Sequence, residues 1–240
     1  MKIIGNFLTV KWQFSGGSDD VVVIHIYKNT VPVYFPFVFL RVLESAGLGS
    51  EDLQVTSQGQ AFITSGCLFA TNTLKVREYL KQKDIKGRIF LYNFKEPQKG
   101  AIELRIRTSG GFSLSDFRAH GINVLENVET GEHLVYVVNH PFPKPDSVEK
   151  FRFKPDTNEL VHLKSFTDEA MRITNDLALV EEDKFYISNF IYSKTPVMFQ
   201  VETMIPLAWG SLLFFNGTGF RNVAPGLVVP NGVTLSKDKR

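Results

Sequence analysis

Four strings of similar form recur along this chain and constrain its fold more than any other feature. Each begins with two residues, often polar, and continues with an apolar residue, any residue and a second apolar residue; they occupy residues 51–55, 120–124, 175–179 and 231–235. Their first residues are 69, 55 and 56 positions apart. Recurring multi-strand units of this size are typical of β-propeller blades. Such strings also recur by chance in β proteins, so the spacing alone leaves both interpretations open.

The composition favours an all-β chain. The 240 residues include 21 Phe, 18 Gly and 11 Pro, a mixture that suits short strands and sharp turns better than a helical bundle. A hydrophobic content of 43% is enough for a substantial core. With 27 basic and 25 acidic residues, the charge balance indicates neither a nucleic-acid partner nor an anionic membrane.

Two histidines flank a predicted hairpin that covers residues 119–141. Residues 134–138 form a nearly unbroken apolar run, as expected of a strand buried on both faces, and the polar Asn139 and His140 end it. His140 should therefore lie at the end of a sheet. His120 comes directly before Gly121 and an alternating strand. We expect both histidines to face one site.

Other strand predictions follow from alternation and turn residues. Residues 101–107 alternate cleanly and are predicted to be one strand. Residues 148–153 and 160–163 are predicted to form a hairpin, because Pro155 to Asn158 between them have good turn chemistry.

In a propeller, the residues that open the innermost strands converge near the central channel. Here they would bring together carboxylates, amides and one imidazole: Glu51, Asp52, His120, Asn175, Asp176 and Asn231. Carboxylate and amide oxygens without thiolates suit Ca²⁺, whereas zinc would favour more His or Cys. The alternative is that these Asp and Asn residues only cap turns before strands, which is common.

At these positions the chain resembles the paraoxonase family, which comprises calcium-dependent lactonases and arylesterases built as six-bladed propellers. The matching segments run in family order from about Gly47 to the C-terminus, and they lie at residues 49–53, 61–66, 117–122, 137–141, 174–177, 184–186, 207–209 and 231–236.

The resemblance implies a role for each matched residue. It makes Glu51, Asn175 and Asn231 ligands of a catalytic calcium, and it makes Asp52, Asp176 and the carbonyl of Ile122 ligands of a structural calcium. His120 is similar to the family's general base and His140 to its proton-relay partner. The remaining histidines, His25, His133 and His162, match nothing and are predicted to be surface or strand residues.

The resemblance also sets expectations about domains and location. We expect a poorly defined segment at residues 1–46 and a partial propeller of roughly four blades at 47–240. The family pattern continues past Arg240, so the catalytic calcium shell should be incomplete here. The resemblance implies an extracellular or membrane-associated location and an association with membrane or lipoprotein, although no convincing signal peptide is visible.

Two side chains have more than one interpretation. The single cysteine, Cys67, excludes an internal disulfide and is predicted to be a buried apolar residue rather than a reactive thiol, although it could pair outside this chain. Asn216-Gly217-Thr218 matches a glycosylation sequon, but Asn-Gly is equally typical of a turn.

The function expected from the resemblance is calcium-dependent hydrolysis of lactones and aryl esters, with a small-molecule substrate. One alternative is a non-catalytic binding or chaperone protein, since the family includes members that assist ion-channel assembly. Another is an incomplete, inactive fragment.

Overall fold

The regular structure of the chain is almost entirely β. The computed structural model describes residues 21–25, 38–42, 49–67, 78, 82, 85–141, 144–193, 195–205 and 207–236. Within them lie three sheets of four or five strands and one pair of parallel strands. No helix among these residues is long and apolar enough to cross a membrane.

The strands follow one another in space in nearly the order in which they occur in the chain. The pair comprises β1 (Val21–His25) and β2 (Val38–Val42), and the first sheet comprises β3 (Leu53–Val55), β4 (Gln60–Ser65), β5 (Arg88–Asn93) and β6 (Ala101–Glu103). The second sheet comprises β8 (Ala119–Leu125), β9 (Leu134–Asn139), β10 (Ser147–Lys154) and β11 (Glu159–Phe166), with β7 (Arg105–Arg107) parallel to β11. The third comprises β12 (Ile173–Glu181), β13 (Lys184–Ile191), β14 (Gly210–Phe215) and β15 (Phe220–Leu227), with helix α1 (Pro196–Met204) between β13 and β14.

Turn residues explain why neighbouring strands are antiparallel. The β10–β11 turn places Asn158 at φ 50°, and the β12–β13 turn places Asp183 at φ 56°. Asn and Asp tolerate this left-handed conformation better than most residues. In the β14–β15 turn, the exposed Asn216 accepts hydrogen bonds at Oδ1 from the N–H groups of Thr218 and Gly219, at 3.0 Å each.

Alternating faces of β9 fill the cores on both sides of the second sheet. Val135 and Val137 pack with residues of the first sheet, including Phe62. Tyr136 and Val138 pack with residues of the third sheet, in a cluster that includes Phe185. The prediction that residues 134–138 form a strand buried on both faces is therefore confirmed.

The first strands of the three sheets are neighbours. Strand β8 packs against β3 and β4 on one side and against β12 on the other. The described residues thus build three blades of a partial β-propeller, where roughly four were expected, and the predicted fold class is confirmed. The fourth repeat, residues 231–236, follows β15 as a segment outside any sheet.

One strand prediction was wrong. Residues 101–107 do not form one strand, because the buried Leu104 interrupts them and its N–H donates to the carbonyl of Ile89, 2.8 Å away. Residues 101–103 pair with β5 in the first sheet, while residues 105–107 pair with β11 in the second. The segment passes from one blade to the next without losing its alternation.

Candidate active site

The polar pairs that open β8 and β12 lie on β-bulges. In β8, Ala119 pairs with Asn139 and Ile122 with Val137, so His120 and Gly121 together face the single residue Val138. In β12, Thr174 pairs with Asn189 and Leu177 with Ile187, so Asn175 and Asp176 together face Ser188. A bulge of two residues opposite one redirects side chains that regular pleating would place on opposite faces. Both bulges occur where the repeated strings begin.

The two predicted catalytic histidines are in direct contact. Nδ1 of His120 lies 2.9 Å from Nε2 of His140. His140 Nδ1 lies 3.0 Å from Oδ2 of Asp146, and the same oxygen accepts hydrogen bonds from the backbone N–H and the hydroxyl of Thr174. Because a carboxylate only accepts, it selects the Nδ1–H tautomer of His140. His140 Nε2 then accepts from Nδ1–H of His120, which leaves Nε2 of His120 as the basic nitrogen.

Burial keeps His120 uncharged. The side chain is 3% exposed, and burial, followed by the charge of His140, holds the pKa of His120 well below its usual value. The carbonyl of Thr174 partly opposes this shift by hydrogen bonding. A neutral imidazole with one unprotonated nitrogen is the form that can take a proton from water.

Two of the three residues predicted to hold a catalytic calcium lie beside the basic nitrogen of His120. Glu51 Oε2 is 3.9 Å from His120 Nε2, and Asn175 Nδ2 is 3.3 Å from it. Burial, together with the negative charge of Asp52, raises the pKa of Glu51 to about 7. Asn231 is exposed, and its backbone carbonyl accepts a hydrogen bond of 2.7 Å from Ser188 Oγ, so its backbone reaches the same bulge.

The residues predicted to hold a structural calcium lie between the first strands of the blades. Asp52 Oδ2 accepts a hydrogen bond of 2.8 Å from the N–H of Ile122, and Asp176 Oδ2 accepts one of 2.9 Å from the N–H of Val233. The two carboxyl groups also contact each other, and the pKa of each is raised: that of Asp52 to about 6, mainly by burial, and that of Asp176 to about 8, by burial and by the charge of Asp52.

The absence of a side chain at Gly121 lets strand β8 approach strand β12 closely beside Asp176. A Cβ there would lie 2.5 Å from the carbonyl oxygen of Asn175 and 2.6 Å from Cα of Asp176. Two buried carboxyl groups in contact cannot both ionise without a cation between them. The donors at this position are carboxylate oxygens, and their negative charge is unfavourable in a buried site unless a cation neutralises it. These donors therefore fit a hard divalent cation such as Ca²⁺.

Sequence reasoning missed two side chains at this site and misjudged one histidine outside it. Asp146, which orients His140, follows three prolines in a connecting segment and matches no recognisable motif. Cys67 is buried as predicted, but one donor atom each from Cys67, His120 and His140 lie within 4.8 Å of one another. His133 was expected at the surface or in a strand, whereas it is fully buried just before β9, between Phe62 and Phe153.

Fold and site together define a partial β-propeller with a histidine pair beside convergent carboxylate and amide groups. A model of the arylesterase family matches residues 33–240. The chain therefore belongs to the arylesterase family, which includes the paraoxonases.

Curated relatives support the same assignment. Serum paraoxonase/arylesterase 2 of Gallus gallus is 33% identical over 213 residues, which are 89% of this chain and 57% of the relative. Serum paraoxonase/lactonase 3 of Oryctolagus cuniculus is 33% identical over 199 residues, 83% of this chain and 53% of the relative. Serum paraoxonase/arylesterase 1 of Homo sapiens is 32% identical over 215 residues, 90% of this chain and 58% of the relative. The chain thus spans a little over half the length of these relatives.

Proposed function

We propose that this chain provides the general base of a calcium-dependent hydrolase that cleaves lactones and aryl esters. The observation that supports the proposal is the series of hydrogen bonds from Asp146 through His140 to His120. These hydrogen bonds leave the basic Nε2 of His120 beside Glu51 and Asn175. The names of the relatives, which include arylesterase and lactonase, support the substrate class.

The side chains of this chain would perform the proton steps. His120 Nε2 removes a proton from a water molecule as that water attacks the carbonyl carbon of the ester. His140, held by Asp146, accepts the hydrogen bond from His120 Nδ1 and stabilises the imidazolium that forms. The proton on His120 then passes to the leaving alkoxide or phenolate, so that an aryl ester gives a carboxylic acid and a phenol, and a lactone gives a single hydroxy acid.

Calcium would be held by oxygen atoms that the blades bring together. Glu51, Asn175 and Asn231 would supply ligands on the histidine side, while Asp52, Asp176 and the carbonyl of Ile122 would supply ligands between the strands. When bound, Ca²⁺ supplies Lewis-acid polarisation of a carbonyl and charge stabilisation of the oxyanion.

The test is hydrolysis of phenyl acetate and of a δ-lactone by the full chain and by His120→Gln, with calcium and with a calcium chelator. Removal of the general base should lower kcat by about 10² to 10⁴-fold. Chelation should abolish activity, and added calcium should restore it. Activity that is unchanged by the chelator, or a kcat that is unchanged in the His120→Gln variant, would contradict the proposed mechanism.

A second proposal concerns the location of the protein. The relatives are named serum proteins, and Asn216 is exposed in the β14–β15 turn. We propose an extracellular protein glycosylated at Asn216. On expression through a secretory pathway, treatment with an N-glycosidase should increase gel mobility, and Asn216→Gln should remove that shift. Membrane or lipoprotein association stays an expectation from the resemblance alone.

A further inference from the structure

Cys67 lies beside the histidine pair, although ester hydrolysis does not require a thiol. One nitrogen of His120, one nitrogen of His140 and Sγ of Cys67 all lie within 4.8 Å of one another. Cys67 and His120 are each 3% exposed. The three groups therefore form a compact cluster of nitrogen and sulfur donors in the interior.

The backbone holds Cys67 in this position. Cys67 follows β4, and its N–H donates to the carbonyl of Gly49 at 3.0 Å. Gly49 has φ +75°, and a Cβ there would lie 2.4 Å from the carbonyl oxygen of Cys67. This close approach fixes the direction of the Cys67 side chain, so the thiol is placed beside the imidazoles by the fold itself.

The donor set differs in kind from the two oxygen-rich groups. Two imidazole nitrogens and one sulfur suit Zn²⁺ and related soft or borderline cations, whereas Ca²⁺ takes oxygen ligands. Tetrahedral zinc with bonds of about 2.0–2.1 Å to nitrogen and about 2.3 Å to sulfur keeps its donors roughly 3.3–3.7 Å apart. In the structure all three donors lie within 4.8 Å of one another and the two imidazole nitrogens are 2.9 Å apart, so the imidazoles would separate slightly and the sulfur would approach them to reach that geometry.

The hydrogen bonds of His140 identify which ring nitrogens face the ion. His140 Nδ1 is bound to Asp146 at 3.0 Å, so Nε2 is the nitrogen that would face an ion in place of its present partner, His120. That atom lies 2.9 Å from Nδ1 of His120. A histidine that ligates a metal almost always donates its other N–H to a carboxylate or carbonyl, which orients the ring and makes it a stronger ligand. Asp146 already supplies this carboxylate.

The surrounding charge is also favourable to a cation. Glu51 and Asp146 lie close enough to the sulfur for their negative charges to oppose ionisation of the thiol, while Arg118 is the cation that acts in the opposite sense. The same negative potential attracts a dication, whose charge would offset that of the thiolate. The cluster therefore has suitable donors, a supporting carboxylate and a suitable potential.

We propose that Cys67, His120 and His140 form a zinc site distinct from the calcium ligands, in which the ion binds between the two imidazoles and to the thiolate. Binding releases the Cys67 thiol proton to solvent and moves the proton of His120 from Nδ1 to Nε2. His120 Nε2 then carries a proton and can no longer act as a base. This consequence is the one part of the proposal that rests on the proposed function. Zinc would be a reversible inhibitor of hydrolysis.

Cobalt(II) is the probe that tests the site without any substrate. The full chain is titrated with Co²⁺ in excess calcium, and the absorption spectrum is recorded. We expect a thiolate-to-cobalt charge-transfer band with the strong visible bands of tetrahedral cobalt, both removed by one equivalent of Zn²⁺. Because Cys67 is the single cysteine of the chain, such a band can arise from no other residue. A spectrum without this band would overturn the proposal, whatever the hydrolase assay shows.

Variants test the histidine side of the site. Asp146→Asn keeps all three donors but removes the supporting carboxylate, and it should weaken zinc affinity by about 10- to 100-fold. Asp116→Asn is the matched control, because Asp116 is an acidic residue that pairs with Lys144 at 3.0 Å, and zinc affinity should not change. His140→Gln should abolish tetrahedral cobalt binding. Equal zinc affinity in the Asp146→Asn and Asp116→Asn variants, or tetrahedral binding in His140→Gln, would refute the proposed ligand set.

Discussion

At the scale of single residues, Asp146 controls the direction of the histidine pair. Its Oδ2 accepts hydrogen bonds from His140 and twice from Thr174. Asp146→Asn should place an amide against His140 Nδ1 and weaken the preference for the productive tautomer. A hydrogen bond to a charged group is worth about 1.5–3 kcal/mol, so kcat should fall by about 10- to 100-fold. KM should change little, because the carboxylate orients the histidine pair rather than the substrate. Steady-state kinetics with phenyl acetate measures both.

A positioning role can be separated from a purely structural one. Asp146→Glu retains a carboxylate and should recover part of the lost kcat, while Asp116→Asn should behave as the unmodified chain. Thermal unfolding of all three variants reports whether the fold is intact. An Asp146→Asn variant that unfolds normally and keeps full kcat would show that Asp146 does not orient the pair.

The residues of the site differ in how far sequence could predict them. His120 and Asn175 were predictable because each opens a repeated string, and the structure brings them within 3.3 Å of each other. Asp146 was not, because it lies between β9 and β10 and reaches the site through tertiary packing. Cys67 was judged correctly for burial and missed as a neighbour of the histidines, since burial follows from composition but proximity requires the fold.

At the scale of elements, the bulge in β8 depends on a glycine that faces backbone. Gly121→Ala would place a Cβ 2.5 Å from the carbonyl oxygen of Asn175, and backbone cannot move aside as a flexible side chain can. Overpacking typically costs 1–3 kcal/mol, and we expect a loss of unfolding free energy of about 3 kcal/mol. Denaturant unfolding measures it.

The control for this substitution is also a glycine. A Cβ at Gly219, in the β14–β15 turn, would meet nothing within 4 Å. Gly219→Ala should therefore change the unfolding free energy by less than about 0.5 kcal/mol. If the two alanine variants were equally stable, the close approach of β8 to β12 would not be a constraint on this fold.

Strand prediction succeeded where an unbroken apolar run indicated burial on both faces. It failed where the hydrophobic pattern could not indicate which strand was the pairing partner. Residues 134–138 are apolar throughout because β9 has a core on each side. Residues 101–107 alternate as one strand would, yet Leu104 divides them between two blades. Alternation shows which face is buried, whereas the choice of sheet depends on the long-range contacts of β5 and β11.

At the scale of the whole molecule, the buried aspartate pair joins all three blades. Asp52 precedes the first strand of the first blade and binds the second at Ile122, while Asp176 belongs to the third and binds residue Val233 of the next repeat. Because the two carboxyl groups also contact each other, protons or a cation must neutralise them for the blades to remain together. Stability should therefore be linked to both pH and calcium.

Without calcium, thermal stability should decrease as pH rises. The folded-state pKa values of Asp52, Glu51 and Asp176 are raised to about 6, 7 and 8, so their contribution is complete below the unfolded value near 4 and is lost as pH rises through 6–8. His120, with its lowered pKa, acts in the opposite sense and costs stability below about pH 6.5. Tm of the calcium-free chain should accordingly decline from about pH 6 to pH 9.

Calcium should replace the protons and remove most of that decline. At a concentration 100 times Kd, a ligand that binds only the folded state adds about 2.7 kcal/mol, which raises Tm by about 5–10 °C for a chain of this size. We expect an increase of that order at pH 8.5 and a smaller one at pH 5, where the carboxyl groups hold protons. Scanning calorimetry at both pH values measures it. The double variant Asp52→Asn and Asp176→Asn should lose most of the pH slope and most of the calcium response. If the double variant kept both, the charge of this pair would not be what links the blades to calcium.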